Sequence, residues 1–123
     1  MLLADFYNVI LKEQRTPQKH DVALRINGSH NIFKGHFPGN PVMPGVCMMQ
    51  MIKEITEGIL NCSLVLQSLT NVKFMALINP DLNPDLDLEL EIVKSEDGLV
   101  KVKNITRFQE TVALKASATY RVL

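Results

Sequence analysis

The sequence has no surplus of either charge. Thirteen Lys and Arg stand against thirteen Asp and Glu, for a formal net charge of zero. That balance argues against a nucleic-acid binder, which carries a clear basic excess, and gives no electrostatic reason for membrane attachment. Long hydrophobic runs are also missing. The longest strictly apolar stretch, Phe74 to Ile78, is far short of the ~20 residues a spanning helix needs. The opening Met1-Leu2-Leu3-Ala4-Asp5 has neither a basic region nor an extended apolar segment, so no secretory signal is expected. Cysteine is scarce. Cys47 and Cys62 fall at opposite ends of a predicted helix, roughly 22 Å apart along its axis and beyond the ~7 Å that a disulfide can bridge. Two free thiols point to a reducing compartment, the cytoplasm. Neither has partners at zinc-ligand spacing.

What is present suits one domain spanning residues 1–123, with 46% hydrophobic residues to form a core. Glycine and proline number six each, yet half of both (Gly35, Gly39, Gly45; Pro38, Pro41, Pro44) fall between positions 35 and 45. A loop this constrained is how a backbone fixes a functional group in place.

Periodicity sets out the elements. Residues 5–12 suit a short helix or a strand, and 14–20, with Pro17, read as a loop. Val22, Leu24 and Ile26 alternate as a strand that ends at Asn27-Gly28. Residues 45–60 predict one long helix, entered through Pro44 and stopped at Asn61. Its apolar face is Met48, Met51, Ile52, Ile55 and Ile59; Gln50, Lys53, Glu54 and Glu57 lie opposite. From Ser63 the period becomes two. Strands are expected over 64–69, 71–77, 85–92, 99–108 and 112–122, with Glu96-Asp97-Gly98 as a turn. The acids of 85–92 have Lys101, Lys103 and Lys115 as cross-strand partners. One helix followed by an antiparallel meander is an α+β fold whose sheet must curl to cover the helix.

The loop and helix start read His36-Phe37-Pro38-Gly39-Asn40-Pro41-Val42-Met43-Pro44-Gly45-Val46. This run resembles the His-Phe-Pro-Gly-x-Pro-x-x-Pro-Gly-Val signature of the beta-hydroxyacyl-acyl carrier protein dehydratases. Asn71-Val72-Lys73-Phe74 and Pro84-Asp85 fit later parts of that family, so the resemblance covers roughly residues 20–122. Residues 1–19 lack the family's usual His-Arg-containing opening. The resemblance implies a hotdog fold: a long central helix wrapped by a curled antiparallel sheet of five to six strands. It implies loss of water from a 3-hydroxyacyl thioester to give a trans-2-enoyl thioester, in fatty-acid or related acyl-chain biosynthesis.

Such a reaction needs a base for the C2 proton, an acid for the departing hydroxyl and donors for the thioester oxygen. By resemblance His36 is the base, and the Gly45 N–H at the helix N-terminus polarises the carbonyl. Phe37, Met43, Val46 and Met49 are placed around the substrate. The family's acid stands fourteen positions after its His, where this chain has Gln50. An amide cannot give up a proton at neutral pH. Glu54 lies one helical turn further on. Either Glu54 supplies the acid, directly or through Gln50 and a water, or His36 returns its own proton to the hydroxyl. The resemblance also implies a homodimer whose site draws its His and its acid position from different subunits, with a trimer of dimers left open. Its partner is an acyl carrier protein or another acyl thioester, and the phosphopantetheine arrives on that carrier, so no separate cofactor is expected. Three other readings stand beside this one: a partner-dependent subunit, a non-catalytic acyl or carrier-protein binder, and a hotdog thioesterase.

Overall fold

Residues 85–92 alternate acid and apolar without a break, and in a computed structural model they lie on a strand with alternate side chains buried. The structure describes residues 4–123. The opening Met1-Leu2-Leu3, part of the segment read above for a secretory signal, lies outside the described residues. Eight elements follow in order: β1 (Tyr7–Gln14), β2 (Lys19–Ile26), α1 (Asn31–Gly35), α2 (Gly45–Leu60), β3 (Leu64–Phe74), β4 (Asp85–Lys94), β5 (Leu99–Phe108) and β6 (Thr111–Val122). The six strands form one antiparallel sheet in the order β1-β2-β4-β5-β6-β3.

β4 sends Leu86, Leu88, Leu90 and Ile92 inward, all at most 5% exposed. β5 adds Val100 and Val102, and β6 adds Ala113, Leu114, Ala116, Ala118 and Tyr120. These residues share one core with Cys47, Met48, Met51, Ile52 and Ile55 of α2. Removing a buried Leu side chain costs about 2–5 kcal/mol, whereas an exposed ion pair contributes about 0–1 kcal/mol. The inward residues therefore hold the sheet to the helix, and the charges stand on its outer face. There Arg25 pairs with Asp85 (2.8 Å) and Arg107 with Glu89 (3.2 Å). Of the expected lysine partners, Lys103 stands opposite Glu91, while Lys101 faces Val93 on β4 and Lys115 lies on β6 beyond reach of β4.

The expected helix begins and ends at the predicted residues. Its C-cap, Asn61, has φ 54°, the left-handed geometry that Asn tolerates. At 16 residues it is the longest helix among the described residues but of ordinary length, and strand outweighs helix in the chain. Other expectations need correction. The loop over 14–20 is shorter, because β1 runs to Gln14 and β2 begins at Lys19. Residues 64–69 and 71–77 are not two strands. β3 is continuous to Phe74, and its register shifts between Leu66 and Ser68 and between Thr70 and Lys73. Nor do the later strands form a simple meander, since β3 pairs with β6 at the far edge and leaves β4 to pair with β2. The short α1 was not foreseen. His30 caps it by accepting from the Ile32 N–H (3.1 Å), while its Nε2 meets the Ala4 carbonyl (3.0 Å). His30 is thus a structural residue. Among the described residues no helix is long and apolar enough to cross a membrane. The architecture is the expected α+β hotdog arrangement.

Candidate active site

The Gly/Pro loop is pinned by its own backbone. The Val42 N–H donates to the His36 carbonyl (2.9 Å), Phe37 and Asn40 exchange N–H···O bonds (3.1 and 3.0 Å), and Met43 N–H reaches across to the Ile78 carbonyl (2.8 Å). His36, half-buried, is held at its side chain as well, because Nδ1 lies 3.0 Å from the Val42 carbonyl oxygen. A carbonyl can only accept, so Nδ1 carries the proton and donates. Nε2 is then the nitrogen with a lone pair, which is the state a base requires. The ring stacks on Phe37 at 4.3 Å between centroids.

His36 opens on a cavity of about 500 Å³ whose walls include Phe37, Met43, Gly45, Met48, Phe74 and Leu114. Its size is in the range of small-ligand pockets, and its lining suits an acyl chain. Gly45 sits at its edge against the Phe74 ring: an added Cβ would come within 2.8 Å of Phe74 Cζ, so the ring would have to move. The helix start is also short of acceptors. The N-cap, Pro44, makes no side-chain cap bond, and its carbonyl takes the N–H groups of Cys47 (3.1 Å) and Met48 (3.2 Å). The amides of Gly45 and Val46, which have no intrahelical acceptor, are the donors of that first turn.

The remaining predicted residues lie elsewhere. Val46, Met49 and Gln50 line a second recess of about 420 Å³ with Lys53, Val65, Leu66, Leu69 and Tyr120. The two recesses share no lining residue. The separation follows from helical spacing: positions 45 and 48 face one side of α2, and 46, 49, 50 and 53 face another. Glu54 lines neither recess. Its Oε2 accepts from Gln50 Nε2 (2.9 Å), and its Oε1 accepts from the Tyr7 hydroxyl (3.0 Å). Glu57, read with these residues as a solvated face, instead accepts from the Leu64 N–H (2.8 Å) and ties α2 to β3. Cys47 is buried, and burial pushes its thiol pKa up, so it is a packing residue and no nucleophile.

Sequence reasoning missed Phe74, the Met75–Ile78 wall and Tyr7. Phe74 stands in the stretch that resembles the family's later strand, a signal that was available. Tyr7 is 47 residues from Glu54, and nothing in the sequence signals that contact.

Comparison with known proteins gives the family and the fold. The profile of the ApeI-like family, described as ApeI dehydratase, matches residues 12–114. The 3-hydroxyacyl-[acyl-carrier-protein] dehydratase FabZ of Clostridium acetobutylicum is 30% identical over 120 residues, covering 90% of this chain and 83% of the relative. FabZ of Lactobacillus helveticus is 31% identical over 101 residues, covering 76% and 67%. Among solved structures, the dehydratase heterocomplex ApeI:P from Xenorhabdus doucetiae superposes with a TM-score of 0.69 at 22% identity, over 93% of this chain and 96% of that one. A hypothetical thioesterase with coenzyme A from Streptococcus pneumoniae gives 0.67 at 15% identity, over 95% and 85%. The two solved structures speak for the fold. The sequence matches, which span both the His36 loop and the sheet that walls its cavity, place the chain in the ApeI-like dehydratase family.

Proposed function

We propose that the chain dehydrates 3-hydroxyacyl thioesters carried on an acyl carrier protein, in the cytoplasm, and that His36 handles the proton in both directions. The observation that carries this reading is the His36 Nδ1–Val42 carbonyl bond, which leaves Nε2 as the basic nitrogen of a neutral ring that lines an apolar cavity beside a helix N-terminus. In the proposed step the thioester oxygen takes the Gly45 N–H and the C2 proton passes to Nε2. The C3–O bond then breaks as that proton moves to the departing oxygen. Water leaves and the C2–C3 double bond forms. Glu54 is less suited to deliver a proton, because both of its oxygens accept hydrogen bonds and Gln50 stands between it and the recess. Positioned proton transfer contributes about 10²–10⁴-fold, so losing the family acid costs much of the rate unless His36 returns the proton itself.

His36 and Gln50 face different recesses of one chain, so we propose that a second copy brings its Gln50 side to the His36 cavity. The surface beside Gln50 supports this. β3 is an edge strand, and Val65, Leu66 and Leu69 are each about 40% exposed there (40, 44 and 39%), an apolar edge of the kind proteins cover. The ApeI:P heterocomplex makes a different second chain the alternative occupant. The test is to supply 3-hydroxyacyl-carrier protein over a range of chain lengths and follow enoyl product. Wild type is expected to turn over alone. A wild type inert at every length, with turnover appearing only in Gln50→Glu, would overturn the His36-only mechanism.

A further inference from the structure

An amide has two different ends, and the neighbours of Gln50 choose between them. Glu54, as a carboxylate, can only accept. Rotated by half a turn, Gln50 would set its carbonyl oxygen against that carboxylate, so the pair selects Nε2 toward Glu54, as observed at 2.9 Å. Glu54 is itself held from the other side. The Tyr7 hydroxyl donates to its Oε1 at 3.0 Å, and burial, with Glu54 and Glu57 nearby, raises the Tyr7 pKa, so the phenol stays a donor. Tyr7 is fixed by β1, where it pairs with Ile26 of β2. It lies outside the stretch that matches the family profile, in the segment that departs from the family's opening. An acid at position 50 would bring its own proton. An amide can only orient, and it orients usefully only when locked the right way round.

We propose that Tyr7 is a positioning residue: through the Glu54 carboxylate it fixes the rotation of the Gln50 amide, so that the carbonyl Oε1 receives the hydroxyl of the 3-hydroxyacyl substrate. This rests on the dehydratase reading above. The substrate O–H donates to Oε1, which turns the oxygen's lone pairs toward the His36 that completes the site. The proton His36 takes from C2 then goes to that oxygen as the C3–O bond breaks.

The test combines a spectrum with kinetics. The Gln50 side-chain amide is followed by NMR in wild type, Tyr7→Phe and Glu54→Gln, assigned by its loss in Gln50→Leu. In wild type the two Nε2 protons are expected to exchange slowly with solvent, and in Tyr7→Phe the exchange quickens. With enzyme activity, Tyr7→Phe lowers kcat about tenfold and leaves KM within about twofold, and Tyr7→Phe/Glu54→Gln is no slower than Glu54→Gln alone, because Tyr7 acts only through Glu54. An unchanged Gln50 resonance and kcat in Tyr7→Phe overturns the proposal, as do losses that multiply in the double variant. If Tyr7→Phe fails to fold, the same resonance in Glu54→Gln decides: unaltered exchange there removes the lock. A wild type inert on every thioester sinks the dehydratase reading, and with it the substrate's place in the proposal, while the amide spectrum still decides whether Tyr7 holds Gln50.

Discussion

At Gly45 any added side chain must displace a wall of the cavity. The hypothetical Cβ meets three atoms of the Phe74 ring at 2.8 to 3.4 Å. Phe74 is 58% exposed, so its ring can swing aside, and Ala favours a helix by up to about 1 kcal/mol over Gly. Gly45→Ala is therefore expected to keep its Tm within a few degrees while kcat/KM for long-chain substrates falls at least about tenfold, read from enoyl formation beside a thermal melt. A variant that melts early would show that Gly45 serves folding and not the cavity. His36 and Gly45 stood out because one short run of Gly, Pro and His holds them both. Gln50 was legible as a departure at a known spacing. Its two neighbours were only half legible: Glu54 follows from helical spacing, whereas Tyr7 reaches it across the fold and leaves no periodic trace.

Among the elements, the strands with one wet face were the most readable. In β4 and β5 burial alternates with the side chains, since a half-covered antiparallel sheet sorts residues by face. The turn at Gly98, with φ 81°, needs the left-handed backbone that Gly allows. The edge strands were harder. β1 is nearly all exposed, so no alternation marks it. The sequence suggests a break in β3 near Asn71, whose φ of 52° disturbs the register, yet the strand continues through the irregularity, as bulged edge strands do. Five residues of α1 are too few to show a period. β6 carries a pH signature. Tyr120 is buried, and burial together with Glu57 pushes its pKa from 10.0 up to about 12. Below pH 10 the phenol is neutral in both states and adds no slope. Between pH 10 and about 12 the unfolded chain ionises while the folded one keeps its proton, so stability falls as pH rises. The urea midpoint should drop over that window, and Tyr120→Phe should flatten the drop. Equal slopes in both proteins would contradict the assignment.

At the scale of the whole molecule, His36 and Gln50 line recesses on different sides of α2. The proposed pairing of copies predicts complementation. His36→Ala and Gln50→Leu, each inactive or slow alone, should regain about a quarter of wild-type activity when refolded together in equal amounts. Mixed pairs are then half of the dimers, and each holds one intact site of two. No recovery, or a wild type that sediments as a monomer while turning over substrate, would contradict a site shared between copies. The central claim is that His36 works as the base of a dehydratase even though position 50 has no acid. It is tested most directly by the rate of enoyl-thioester formation from a 3-hydroxyacyl-carrier protein, wild type against His36→Ala. The account predicts steady turnover by wild type and a loss of about 10²–10⁴-fold in the variant. Turnover that survives His36→Ala would contradict it.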